Sequence, residues 1–457
     1  MASNTKVVHA LVLPYPSQGH INPLLQFCKR LVSKGAKATF VNSVFLSKSM
    51  HADPKSSINF ETISDGYDEG GWLSAESAEI YLDNLRTVGS KTLSELIKKL
   101  QDNGQVIDVV IYDSFLTWAL DVAKEFGIVA AAFFTQTCAV NSVYYHVYNG
   151  LLPVPLSGSP VSLPELPVLQ PEETPSFVYR PEDNPAFRDL LVNQFCNVDQ
   201  TDWVFLNIFD KLEENLLNWM GKLWRRVRTV GPTVPSMYLD KRLADDTGYG
   251  IHLSKPESSL CMNWLNRQET GSVVYVSFGS WSQINEVQIE EIASALKQSG
   301  FKFLWVVRAF EKEKLPKTFT EETSDQGLVV TWSPQLEVLA HESLGCFVTH
   351  CGFNSVLEAL CLGVPMVAAP VWTDQPTNAK LIEDVWGVGI RTKKDEQGIV
   401  RKESLVSCLE EIMEEGSEKG KLIKENAAKW KNLAKEAIDE GGSSDKNIDD
   451  FLADLAS

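Results

Sequence analysis

Short apolar runs alternate with longer amphipathic stretches along the chain, and the pattern is played twice. In the first half, VVHALVL, AKATFVNS, DVVIY (108–112) and GIVAAAFFT (127–135) read as buried strands. Helices are expected between them, from Pro23 to about Ser33 and around Thr117 to Phe126. Continuous apolar strands separated by helical segments are the mark of a parallel sheet covered on both faces. The second half restarts with GSVVYVSFGS (271–280) and a helix from Asn285 to Ser299 stopped by Gly300. FKFLWVVR, GLVVTW, CFVTH and PMVAAP follow as strands. From Ser404 the chain is amphipathic and charged, with helices near 418–438 and 445–455 whose charges are expected on solvated faces. SMYLDKRLADDTGYGIHLSKPE has no apolar period and reads as the boundary between halves; the Pro-, Leu- and Ser-rich residues 150–175 read as a long surface loop. The expected division is residues 1–238, a linker over 239–256, a second domain over 257–440, and a terminal helix over 441–457.

The segment from Trp332 to Gln375 concentrates the chemistry. CFVTH is a short strand, followed by Cys351, Gly352 and Phe353 and then a helix starting at Asn354–Ser355. Its apolar spacing runs through Val356, Leu357, Leu360 and Cys361 to a stop at Gly363. A strand that feeds a glycine-containing turn and a helix N-terminus offers unpaired N–H groups and a positive dipole end to an anion. His350 ends the strand, and Asn354 and Ser355 add donors at the same point. Glu358, one turn on, is unsuited to phosphate but suited to a ribose diol. Trp332 is placed to stack on a planar base. Asp374 and Gln375 are an acceptor and donor pair suited to sugar hydroxyls.

A second constellation lies in the first half. In PYPSQGHINP, His20 follows the exit of the first strand and is expected just ahead of a helix with Asn22 as N-cap and Pro23 at N1. Asp113 ends another strand at the same edge, where ligands of open α/β sheets bind. Brought together, Asp113 would accept one ring N–H of His20, fix its tautomer and steady the cation formed when the ring takes a proton, as the acid of a Ser-His-Asp triad does.

Composition narrows the classes. The net charge of −18 argues against nucleic-acid or anionic-membrane partners. No run approaches the length of a membrane span, and the first residues do not read as a secretory signal. The eight cysteines show no CxxC spacing, so reduced thiols in a cytoplasmic protein are expected. No Asp-x-Asp occurs in the chain, which weakens a metal-dependent nucleotide-sugar site. PYPSQGHINP also lacks the G-x-G-x-x-G of a nicotinamide dehydrogenase.

Residues 332–375 resemble the signature box of plant family 1 UDP-dependent glycosyltransferases, and the resemblance runs from PSQGHINP to the acidic helical end. It implies an α/β GT-B fold, two facing Rossmann-like domains with a cleft between them, and a last helix that returns to the N-terminal domain. By resemblance His20 is the catalytic base and Asp113 its partner. The donor contacts are Gly19, Thr135, Ser280, Trp332, Ser333, Gln335, His350, Gly352, Phe353, Asn354, Ser355, Glu358, Asp374 and Gln375. The implied reaction is inverting displacement at the anomeric carbon, the leaving UDP being met by His350, Ser355 and the helix N-terminus. No metal and no prosthetic group is implied, and a monomer is expected. Phe353 stands where the family usually has Trp, and Gln375 resembles glucose-preferring members, so UDP-glucose is the expected donor. Tyr15, Phe115, Trp118, Tyr145, Phe195, Trp281 and Thr373 are the candidate acceptor walls. The chain looks similar to a subgroup that glucosylates carboxylates, phenolics, triterpenoids and steroids, so the expected acceptor is a bulky apolar metabolite. The competing readings are a GT-B nucleotide-sugar epimerase and a non-catalytic UDP-sugar-binding protein.

Overall fold

Thirteen strands form among the described residues of the computed structural model, which are 6–48, 57–249 and 257–457, and every pair of adjacent strands is parallel. The first sheet comprises β1 (His9–Leu13), β2 (Lys37–Ser43), β3 (Ile58–Ile63), β4 (Val109–Asp113), β5 (Val129–Phe134), β6 (Trp203–Leu206) and β7 (Val227–Thr229), in the order β3-β2-β1-β4-β5-β6-β7. The second comprises β8 (Val273–Ser277), β9 (Lys302–Val306), β10 (Gly327–Val330), β11 (Leu344–Thr349), β12 (Met366–Ala368) and β13 (Gly389–Arg391), in the order β10-β9-β8-β11-β12-β13. Both are Rossmann-type orders that reverse direction of growth once, between β1 and β4 and between β8 and β11. Loops leaving the carboxyl ends of the strands on either side of such a point diverge, and the gap is where ligands bind.

Two compact units result. One takes the described residues up to Pro171 with 177–249 and Glu436–Ser457; the other takes Glu172–Ser176 and 257–435. Each has its own core. Val12, Phe27, Phe40, Ile111, Phe133 and Phe205 anchor the first, and Val274, Val276, Phe303, Trp305, Val348 and Leu409 the second.

The helix Ser443–Ala456 belongs to the first unit. Phe451 packs edge-on to Phe205 at 4.9 Å and Trp203 at 5.3 Å, and Ser444 Oγ donates to the Gly231 carbonyl at 2.6 Å. Its charges are not all solvated: Asp445 is buried and takes ion pairs from Lys34 (2.8 Å) and Arg242 (3.0 Å).

One expectation is corrected. The helix after β1 spans Gln18–Ser33, with Ser17 rather than Asn22 at its N-cap and Pro23 inside it. The Ser17 carbonyl closes the first turn by accepting from the His20 and Ile21 N–H groups, both at 2.9 Å, so the helix begins before the proline. Asn22 is buried instead of capping. The linker expected over 239–256 falls partly outside the described residues, at 250–256, and residues 239–249 are tied into the first unit. Asp240 accepts from Arg30 Nη1 and Nη2 at 2.5 and 2.9 Å, and Asp246 from Lys29 and the Ser236 N–H, both at 2.6 Å.

Among the described residues no helix is long and apolar enough to cross a membrane. All eight cysteines are free thiols, seven of them buried.

Candidate active site

In the first unit, Leu13 of β1 lies level with Tyr112 of β4, so the next residues of both strands leave at the same edge. Asp113, the last residue of β4, is fully buried there. The chain from β1 turns into the helix Gln18–Ser33, which carries His20 on its first turn. His20 Nδ1 stands 2.6 Å from Asp113 Oδ2. A carboxylate can only accept, so Nδ1 carries the proton toward Asp113 and Nε2 is the ring nitrogen left to act as a base. The other carboxylate oxygen accepts the Phe115 N–H at 3.1 Å, which fixes the acid in place. Thr135, just past β5, brings its hydroxyl within 3.2 Å of the same Nδ1.

Aromatic rings wall this pair. Phe115 lies 4.8 Å and Tyr15 5.3 Å from the His20 ring, centroid to centroid. Burial, together with the Asp113 and Asp65 carboxylates, pushes the Tyr15 phenol well above its ordinary value, so it remains an O–H. Tyr145 meets Phe195 edge-on at 5.7 Å, and Phe195 stacks with Trp224 at 5.8 Å and Phe134 at 5.7 Å. Phe195 and Trp118 are buried, and Trp118 fills the space beside Gly89, where a Cβ would meet its ring at 3.0 Å. Those two are packed as core.

In the second unit, Ser277 of β8 lies level with Thr349 of β11, so Gly279 and His350 leave the sheet side by side. The His350 ring rests in a space kept open by two glycines. A Cβ on Gly279 would stand 2.6 Å from Nε2, and one on Gly352 2.5 Å. Burial and the Arg308 charge push the His350 imidazole down to about 4, partly offset by the backbone at Ser277. His350 is therefore neutral near pH 7, and what it can offer an anion is a hydrogen bond, not a charge. Arg308, itself buried, is matched by Glu311 through two bonds of 3.1 and 3.0 Å.

The helix Phe353–Leu362 starts at this point, with Gly352 as N-cap and Gly363 ending it in the left-handed region at φ 72°. Its N-cap, Gly352, has no side chain to cap with, and the turn before it holds Cys351 at φ 67°. Phe353 is buried, and Ser355 and Glu358 are joined through Gln335, whose Nε2 donates to Ser355 Oγ at 3.0 Å and Glu358 Oε2 at 2.8 Å. Tyr275 lies 2.8 Å from Ser333 Oγ and donates to Gln335 Oε1 at 3.2 Å, extending the network to β8. Trp332 is partly exposed, and its carbonyl accepts the Glu257 N–H at 3.1 Å.

Gln375 is the first residue of the helix Gln375–Lys380, and its Oε1 accepts from the Val371 and Trp372 N–H groups at 2.9 and 3.0 Å. Asp374 Oδ2 accepts from Asn378 at 2.7 Å, and Oδ1 from the Thr373 hydroxyl. Thr373, expected on an acceptor wall, thus turns its hydroxyl to Asp374. Ser280 and Trp281 are exposed on the loop after β8; Ser282 beside them is buried, and its hydroxyl has no partner among the described residues. No group of three or more His, Cys, Asp or Glu is arranged to hold a metal among the described residues.

Tyr275, Ser282, Arg308, Glu311 and Asn378 were not singled out from the sequence. Tyr275 and Arg308 lie within or just beyond apolar strands, where alternation reads as packing, and Asn378 follows the box by three residues.

The family model described as UDP-glucoronosyl and UDP-glucosyl transferase matches residues 11–436. Mogroside I-E synthase of Siraitia grosvenorii is 48% identical over 98% of both chains, and a flavonol 7-O-beta-glucosyltransferase of Arabidopsis thaliana 47% over 98% of both. Among solved structures, Os79 of O. sativa in complex with UDP is similar at a TM-score of 0.90 and 38% identity, over 98% of this chain and 100% of that one. A second structure of Os79, with trichothecene, gives a TM-score of 0.88 with the same coverage. The chain belongs to the UDP-glycosyltransferase family and has the α/β GT-B fold.

Proposed function

We propose that this glycosyltransferase moves glucose from UDP-glucose to a hydroxyl or carboxyl of a bulky apolar metabolite, with inversion at the anomeric carbon. The observation that carries the reading is the His20–Asp113 contact of 2.6 Å, which leaves Nε2 as the free basic nitrogen. In the proposed step Nε2 takes the acceptor's proton as its oxygen bonds to the anomeric carbon. The bond from that carbon to the UDP oxygen breaks in the same displacement. Asp113 then balances the imidazolium. General base catalysis of this kind is worth about 10²–10⁴-fold.

The leaving diphosphate is read as held by the N-terminus of the helix Phe353–Leu362 with neutral donors from His350, Ser355 and Ser282. Such a design needs no metal. Glu358 is assigned to the ribose, Trp332 to the base, and Asp374 with Gln375 to the sugar. The Gln375 carbonyl is already used by two backbone N–H groups, so its amide N–H donors are what it offers a hydroxyl. The acceptor class is supported by the aromatic walls around His20 and by relatives named for a mogroside and a flavonol. An epimerase would act on the UDP-sugar without any acceptor, and a binding protein would have no use for the oriented base. The test is UDP release from UDP-glucose with and without steroid, triterpene, flavonol and benzoate acceptors, with the anomeric configuration of the product read by NMR. Release without acceptor, or a product with retained configuration, contradicts the reading.

A further inference from the structure

Five residues, Glu172–Ser176, cluster with the second unit although the sequence on either side belongs to the first. Their attachment converges on the turn that precedes the helix Gln375–Lys380. The Ser176 N–H donates to the Thr373 carbonyl at 2.7 Å, and Ser176 Oγ accepts the Thr373 N–H, also at 2.7 Å. Thr377 Oγ1 donates to the Glu173 carbonyl at 2.8 Å, and the Glu173 carboxylate pairs with Lys380 at 3.2 Å and with Arg391.

Thr373 has φ 51°, a left-handed conformation that a β-branched residue adopts only when its surroundings impose it. Ser176 grips the amide on one side of that residue and the carbonyl on the other. Held this way, Thr373 directs its hydroxyl onto Asp374 Oδ1 while Asn378 holds Oδ2. Both oxygens of Asp374 are held, Oδ2 by Asn378 and Oδ1 by the Thr373 turn that Ser176 grips.

We propose that Ser176 is a positioning residue for recognition of the donor's sugar, acting through the Thr373 turn on Asp374. The proposal rests on the UDP-sugar reading above. Ser176 fixes which lone pairs of Asp374 face the sugar hydroxyls, and so sets how well one hexose is told from its epimers. UDP itself, lacking the sugar, is indifferent to it.

The experiment compares the wild-type enzyme with Ser176→Ala and Ser176→Thr. It measures steady-state kinetics with UDP-glucose and UDP-galactose, UDP affinity by calorimetry, and thermal unfolding. Loss of the one hydrogen bond from the Thr373 N–H to Ser176 Oγ predicts that S176A raises the KM for UDP-glucose about tenfold and narrows the preference between the two sugars. UDP affinity should change by less than about twofold, and S176T, which keeps the hydroxyl, should restore the KM. An unchanged KM and preference in S176A overturns the proposal, as does a parallel loss of UDP affinity, which would mark general damage to the unit. Failure of the underlying reading is seen separately, as a wild-type enzyme that shows no acceptor-dependent transfer from any UDP-hexose.

Discussion

His350 Nε2 occupies the space into which a Cβ on Gly279 would project, 2.6 Å from where that carbon would stand. Gly279 is also in the left-handed region at φ 72°, so an alanine there is opposed both by the ring and by the backbone. Gly279→Ala should displace His350 from the N-terminus of the helix Phe353–Leu362 and weaken UDP binding by at least about tenfold, the equivalent of one well-made hydrogen bond. Calorimetric titration with UDP checks this, with circular dichroism to show that the variant is folded.

Asp113 is fully buried and holds His20 through a single short contact. Asp113→Asn keeps the shape but removes the charge that balances the imidazolium, and allows the wrong ring tautomer. The expected fall in kcat is about 10²–10⁴-fold. UDP affinity should be unaltered, because the donor contacts lie on other residues. Single-turnover rates with UDP-glucose measure the first quantity and calorimetry the second.

The pH dependence of stability should carry a signature of His350. Its folded-state value is about 4 against an ordinary 6.5, so the unfolded chain binds the proton more readily between those values. Stability from this group is therefore present above about 6.5 and lost as pH falls toward 4. His350→Gln, which cannot take a proton, should flatten the slope of unfolding free energy against pH in that window. Urea titrations at half-unit steps of pH read the slope.

Arg308 and Glu311 form a buried pair whose side chains are 7% and 5% exposed. Arg308→Ala leaves the Glu311 carboxylate with the Ile284 N–H but no counter-charge, and should cost about 3–5 kcal/mol. Replacing both by methionine should recover most of that loss. Chemical unfolding of the single and double variants decides it.

The architecture was legible where the sequence follows a strong period. VVHALVL, DVVIY and CFVTH are continuous apolar runs, and each holds a strand at the centre of its sheet. β7 and β13, with three residues each, are too short for a period to register, and β3 alternates around polar residues at a sheet edge. The helix start at Gln18 was hidden because Pro23 looks like a first-turn proline, whereas Ser17 supplies the closing carbonyl. For the site, the His20–Asp113 contact follows from strand order, since β1 and β4 are neighbours although far apart in sequence. The neutrality of His350 was not legible. It depends on burial and on Arg308, which lies far outside the box. The same holds for Ser176, whose link to Thr373 has no local signal.

The measurement that bears most directly on the account is made on His20→Ala, by comparing its turnover of UDP-glucose and a competent acceptor with its affinity for UDP. Loss of the base predicts a fall of about 10²–10⁴-fold in kcat, or more, with UDP affinity within about twofold of the wild type. Turnover near the wild-type rate would contradict the assignment of His20 as the base that activates the acceptor.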